Sequence, residues 1–305
     1  MSFAFVFPGQ GSQSVGMMAA YGDAAVVRAT FDEASTTLGD DLWAMVADGP
    51  AEVLTQTVNT QPVMLTAGIA AWRLWLEKGG RRPAVVAGHS LGEYSALVAA
   101  GVIEFKDAVP LVRLRAAAMQ QAVPVGTGAM AAVLGLDNAG IAAACAEAAQ
   151  GEVVEPVNFN ANGQTVIAGH KAAVERAMEA CKARGAKMAK ALPVSAPFHS
   201  SLIRPAADKL AARLDELTLN KGHQQRRCRH RKRTFTHQGC VDSSGLQSGT
   251  LGRDHPENGS NRRVDRGGMR TGQGTGRPDQ ALRRRHYWHC AGRRHGHRSQ
   301  SRTGI

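Results

Sequence analysis

The stretch AVVAGHSLGEYSAL, residues 84–97, sets Ser90 two residues after Gly88 and two before Gly92, between an apolar run and a helix-like one. The pattern predicts a strand over 84–87, a sharp turn, and a helix from Leu91 to Ala100 closed by Gly101. Glycines on both sides let the chain double back, and such a turn holds a serine side chain up at the carboxyl end of the strand. There the head of the helix offers the backbone N–H of Leu91 to an oxygen that develops negative charge. Ser90 is thus a candidate nucleophile. The plainer alternative is a Gly-rich turn in which Ser90 only caps the helix.

Outward from this turn, short apolar runs alternate with helical patterns. Phe3 to Phe7 reads as a strand, Asp23 to Leu38 as a helix, and Gln61 to Trp75 as an apolar helix. Alternating strand and helix imply an α/β domain with a parallel sheet. From about Gly126 the texture changes. GAMAAVLGL reads as a strand, Ala139 to Ala149 as a helix, VVEPVNFN and QTVIAG as two strands, and Lys171 to Arg184 as a helix before KALPV. That β-α-β-β-α-β order is ferredoxin-like. The expected architecture is α/β: a large hydrolase-like domain begun by residues 1–123, a ferredoxin-like insertion over 124–195, a return to the large domain over 196–220, and a tail from 221 to 305.

The formal charge of +12 is unevenly placed. Residues 1–220 hold 17 Lys and Arg against 20 Asp and Glu, whereas residues 221–305 hold 20 against 5, with 8 of the 11 histidines. The tail carries seven Leu, Ile, Val or Phe residues without period, a composition expected to be disordered. Its basicity raises the possibility of nucleic-acid binding. However, only Tyr287 and Trp288 stand together as stacking candidates, and no zinc-finger spacing or RNA-binding motif is present, so no nucleic-acid partner is expected. FAFVF runs directly into PGQGSQ as a strand would, unlike a leader, and no apolar run approaches the ~20 residues of a membrane span. A cytoplasmic protein without a membrane partner is expected. Cys145 and Cys181 are isolated, and Cys228, Cys240 and Cys290 lack metal-site spacing, so ordinary reduced thiols and no metal site are expected.

A serine nucleophile needs a base, and residues 1–220 offer His89, His170 and His199. His89 adjoins Ser90 in sequence and reads as local packing. His170 follows VIAG and reads as a helix cap. His199, in the irregular segment SAPFHS after the insertion, is the better candidate. Arg115 shares a helical face with Val112 and Met119, which sets a cation in an apolar stripe, while Arg113 falls on the opposite, solvated side. An arginine in that setting is either ion-paired or awaits an anion.

FVFPGQGSQ, TQPVMLTA, AGHSLGEYSALV, GTGAMAAVLGL, PVNFN with QTVIAGH, and PVSAPFHS occur in this order over residues 3–220. Together they resemble the malonyl-CoA:acyl carrier protein transacylases of bacterial fatty acid synthesis. The resemblance implies a two-step acyl transfer without a cofactor. Ser90 would attack malonyl-CoA with His199 as base, and the phosphopantetheine thiol of acyl carrier protein would take the malonyl group from the serine ester. It also implies an oxyanion hole from the N–H groups of Gln10 and Leu91. Arg115 would clamp the malonyl carboxylate. Phe198 resembles the residue of malonyl-selective members. The competing readings are an inactive acyltransferase-like protein whose basic tail binds nucleic acid, and a serine hydrolase, against which Arg115 speaks.

The tail departs from the resemblance, because the family continues with segments like RQxYxPVxW and GPGKVLxGLTKR that are absent here. Codons for Gly268–Ala281, read from the second base of each, permit ECGPGKVLAGLTKR. The same displacement permits IKDALTRQAYSPVRW from His237–Leu251 and NVDVA from Gln225–Arg229. One displaced frame yields all three segments in order, which points to a base gained or lost near residues 220–222. The literal chain is then expected to be poorly soluble and nearly inactive.

Overall fold

The computed structural model describes residues 3–194, 196–220, 233–236 and 239–242, the last two stretches by backbone alone. It is a mixed α/β fold with both parallel and antiparallel sheets.

Strand β1 (Ala4–Phe7) pairs in parallel with β2 (Val85–Gly88), with Phe7 opposite Gly88. Between them lie α1 (Ala25–Leu38), α2 (Leu42–Ala47), α3 (Ala51–Leu54) and α4 (Thr57–Glu77). After β2 come α5 (Gly92–Ala99) and α6 (Phe105–Gln121). Gly39 ends α1 in the left-handed conformation that favours glycine, and Asp41 starts α2 by accepting from the Ala44 N–H at 2.9 Å. One core gathers Phe31, Leu42, Leu65, Ile69, Leu91 and Leu111 from these helices. A smaller cluster covers one face of the short sheet, where the Phe5 ring meets Trp72 of α4 edge-on at 5.3 Å.

Helix α4 begins four residues before the expected Gln61. The largely polar run TVNTQ hides its start from a periodicity reading, yet its four polar residues, Thr57, Asn59, Thr60 and Gln61, are all buried. Thr60 donates to the Leu54 carbonyl at 2.6 Å and Asn59 to the Val53 carbonyl at 3.0 Å, so their burial is compensated.

The second region runs β3 (Gly128–Leu134), α7 (Asn138–Ala149), β4 (Val154–Ala161), β5 (Gln164–His170), α8 (Lys171–Ala183) and β6 (Met188–Ala191). Its sheet has the order β4-β5-β3-β6, with every neighbouring pair antiparallel. Ile141 and Cys145 of α7 and Val174 and Cys181 of α8 cover it, meeting Ala131, Val133 and Ile167 in a separate core. Both cysteines are free and buried, and burial pushes the Cys145 thiol up to about 12.

A 3-10 turn (Ser201–Ile203) leads into α9 (Arg204–Glu216), which returns Leu210 and Leu214 to the first core. Asn220 is tied to Val102 and Glu104 by bonds of 3.0 Å each. Beyond it, β7 (Arg233–Thr236) and β8 (Gly239–Asp242) pair antiparallel, where composition had suggested no regular structure. The remaining expectations for the tail lie outside the described residues.

The parallel sheet has two strands among the described residues, and one face is open: Val6 is 72% and Val85 49% exposed. Parallel strands normally have both faces covered. No helix among the described residues is long and apolar enough to cross a membrane.

Candidate active site

The turn between β2 and α5 is as tight as the glycine pattern implies. A Cβ on Gly88 would lie 1.8 Å from the Gly92 carbonyl carbon, and one on Gly92 would lie 2.2 Å from the Phe7 oxygen. Ser90 between them has φ 53°, the left-handed region that a side chain rarely adopts. This conformation lifts the serine off the line of the strand. Ser90 does not cap α5, whose first turn has no side-chain cap. Instead its Oγ lies 3.0 Å from His199 Nε2, across 109 residues of sequence.

His199 is 7% exposed and also left-handed, with φ 67°. Its neighbour Phe198 is buried with Met119, Met130 and Ile203. His170 stands elsewhere and plays a different part from the expected cap. It occupies the N-cap position of α8 without capping it, and its Nδ1 accepts from the Val153 N–H at 2.9 Å. His89 packs against the opposite turn, its Nδ1 3.1 Å from where a Gly9 Cβ would stand.

Arg115, 2% exposed on α6, reaches the same point. Its Nη2 donates to Ser90 Oγ at 3.0 Å and its Nη1 to Gln61 Oε1 at 2.8 Å. The Tyr94 ring of α5 lies 5.5 Å from the guanidinium. Burial draws the Arg115 pKa down, while Tyr94 opposes that shift; burial raises the Tyr94 phenol, against the pull of Arg115. Glu93, beside Tyr94, is likewise raised by burial. Arg113 departs from expectation: it donates to Asp40 at 2.5 Å, half-buried at the surface, because α1 and its following turn pack against that side of α6.

Leu91 follows the serine at the head of α5 and is buried. Gln10 lies in the turn after β1, its side chain donating to Thr57 at 3.2 Å. A Cβ on the adjacent Gly9 would stand 2.7 Å from the His89 carbonyl oxygen, so the Gln10 turn abuts the serine turn. Gln61 and Tyr94 escaped the sequence reading. The one signal for Gln61 was a long polar amide opening an apolar helix, and Tyr94 gave none.

A serine oxygen shared by an imidazole and a guanidinium, at the head of a helix, can act as a nucleophile towards an acyl group that carries a negative charge. Comparison with known families agrees: residues 4–243 match the acyl transferase domain. The chain belongs to the acyl transferase domain family. Among acyl transferases, malonyl CoA-acyl carrier protein transacylase of Escherichia coli K12 is 63% identical over 219 residues, 72% of this chain and 71% of that one. The protein of that name from Bacillus subtilis strain 168 is 49% identical over 214 residues, 70% of this chain and 67% of that one. Among solved acyl transferases, an acyl carrier protein S-malonyltransferase from Vibrio cholerae superposes with a TM-score of 0.70 at 62% identity, covering 72% of each chain. A malonyl-transacylase solved with its type II PKS acyl-carrier protein superposes at 0.71 with 59% identity, again over 72% of each.

Proposed function

We propose that the protein moves the malonyl group of malonyl-CoA onto the phosphopantetheine thiol of acyl carrier protein through a malonyl ester of Ser90. The observation that carries this reading is the single serine oxygen 3.0 Å from both His199 Nε2 and Arg115 Nη2. His199 takes the hydroxyl proton as Oγ attacks the thioester carbon, the C–S bond breaks, and the proton passes to the departing CoA sulfur. In the second half the carrier thiol gives its proton to His199, attacks the ester carbon, and Ser90 regains the proton as the C–O bond breaks. The N–H groups of Leu91 and Gln10 hold the oxyanion in each half. The guanidinium of Arg115 binds the free carboxylate, which an acetyl group lacks. No cofactor takes part.

The fold reading that accompanies this is a hydrolase-like large domain over 1–123 and 196–220 with a ferredoxin-like insertion over 124–195. The strand order β4-β5-β3-β6 supports the insertion, since numbering these four strands within the unit gives 4-1-3-2 from the far edge. The uncovered valines of β1 and β2, the swing in charge after residue 220, and relatives that match about seven-tenths of the chain support a displaced reading frame from there on. The reading places the protein in the cytoplasm, with neither nucleic acid nor membrane as partner.

Incubation with malonyl-CoA followed by intact mass measurement is the test. A single added malonyl group that a carrier thiol then removes is the expected result. Release of free malonate faster than transfer to the thiol would make the protein a hydrolase instead.

A further inference from the structure

His199 holds a left-handed backbone, φ 67°, which costs a side-chain-bearing residue on the order of 1–2 kcal/mol unless its surroundings impose it. Two of those surroundings involve Pro197, one of them a bond that spans the histidine. Pro197 packs where a Cβ on Gly128 would stand, 2.3 Å from its Cδ, and its carbonyl accepts from Ser200 Oγ at 2.7 Å. The third lies after it and comes from the second sheet. Glu155 of β4 accepts from the Ser201 N–H at 2.9 Å with one carboxylate oxygen and from Ser201 Oγ at 2.8 Å with the other.

We propose that Glu155 is a positioning residue for His199, acting through Ser201. The proposal rests on the reading of His199 as the base for Ser90. A two-oxygen grip on one residue fixes the direction of the 200–201 peptide plane. With Pro197 held on the other side, little torsional freedom remains at residue 199, and the 3.0 Å approach of Nε2 to Ser90 follows from it. The small sheet thereby serves as the platform on which the base is aimed. Glu155 grips the chain at Ser201, two residues past the imidazole, and its part is to position rather than to react.

A carboxylate at the head of a helical turn can also act as a plain cap. The two roles separate experimentally, because the bonds from Ser201 to Glu155 are solvent-exposed and contribute little to global stability. Glu155→Ala, Ser201→Ala and the double variant are to be compared in the full-length protein, with the frame restored after Asn220 if the chain as written turns over too slowly to measure. Three readouts are needed: kcat and KM for malonyl-CoA, the rate at which a fluorophosphonate probe labels Ser90, and the thermal midpoint.

The expected result is a fall of about ten- to a hundred-fold in both kcat and labelling rate. KM should stay within about twofold, the midpoint should move by only a few degrees, and the double variant should lose no more than either single one. Glu155→Gln should recover most of the rate, since its amide oxygen can accept from the Ser201 N–H while its NH2 donates to Ser201 Oγ. Unchanged kcat and labelling with a lowered midpoint would make Glu155 a cap and overturn the proposal, as would additive losses in the double variant. A parent protein that labels but does not transfer malonyl groups would overturn the functional reading and leave this test intact. One that does not label at all would overturn both.

Discussion

Arg115 donates to the oxygen of Ser90 at 3.0 Å, so the cation assigned to the substrate carboxylate already touches the nucleophile. Ser90 can give its proton to His199 Nε2 and accept from Arg115 in the same moment, because a hydroxyl has one donor and two lone pairs. The guanidinium then favours the alkoxide that forms when the proton leaves. Arg115 is therefore expected to assist every acyl group a little and a carboxylated one much more.

Arg115→Ala should lower kcat/KM for malonyl transfer by at least about a hundred-fold, the scale of losing a charge-assisted bidentate contact, and for acetyl transfer by much less. Steady-state comparison of the two thioesters checks this. Equal losses would show that Arg115 only supports the fold. Arg115→Lys should rescue malonyl transfer poorly, since one ammonium cannot reproduce the fork that reaches both Gln61 and Ser90.

Ser90→Ala should abolish the added malonyl mass while leaving the fold intact, because the alanine fills the same turn and Ser90 does not cap α5. Labelling that persists in the variant would move the nucleophile elsewhere.

Gly92→Ala should be far more damaging than its size suggests. Its new Cβ would sit 2.2 Å from the Phe7 oxygen, a backbone atom that cannot step aside without separating β1 from the serine turn. A loss of about 3 kcal/mol or more is expected in denaturant midpoints, the upper range for overpacking. A midpoint within experimental error of the parent would show that the turn is looser than described.

Cys145 should resist thiol reagents at pH 8 in the native protein, because burial lifts its pKa from the ordinary 9.0 to about 12. Mass mapping after brief alkylation should find it unmodified until denaturant is added. The same shift makes stability fall as pH rises from about 9 towards 12: there the unfolded thiol releases a proton that the folded one keeps. Rapid native alkylation would contradict the burial.

Restoring the reading frame after Asn220 should raise both soluble yield and malonyl transfer. Equal solubility, cooperative unfolding and equal activity of the chain as written would refute the displaced frame and make the tail a native extension.

The serine turn was legible because its signal is local: two glycines, a serine and a change of period within a few residues. Arg115 was legible for a related reason, a single charge set on an apolar helical face with Val112 and Met119. Its partner Gln61 was not, since it lies 54 residues away on α4, which only the tertiary fold brings against α6. The first turn of α4 was missed because its side chains satisfy themselves on nearby carbonyls, so polar residues are buried where periodicity expects exposure. His170 was misjudged because position alone suggested a cap, whereas its ring turns to the strand-side N–H of Val153.

The four-stranded sheet is built from one uninterrupted stretch of chain, 128–191, and closes its own core. On a ribosome that stretch is complete before residue 220 is added, so it can acquire its structure during synthesis, whatever follows. The β1–β2 pair joins strands some eighty residues apart and leaves Val6 and Val85 uncovered. Amide exchange in the chain as written should accordingly fall into two classes, slow across β3 and β5 and fast across β1 and β2. A cell carrying the displaced frame would hold a finished small unit tethered to an unfinished large one, a species that proteases recognise through the open half alone.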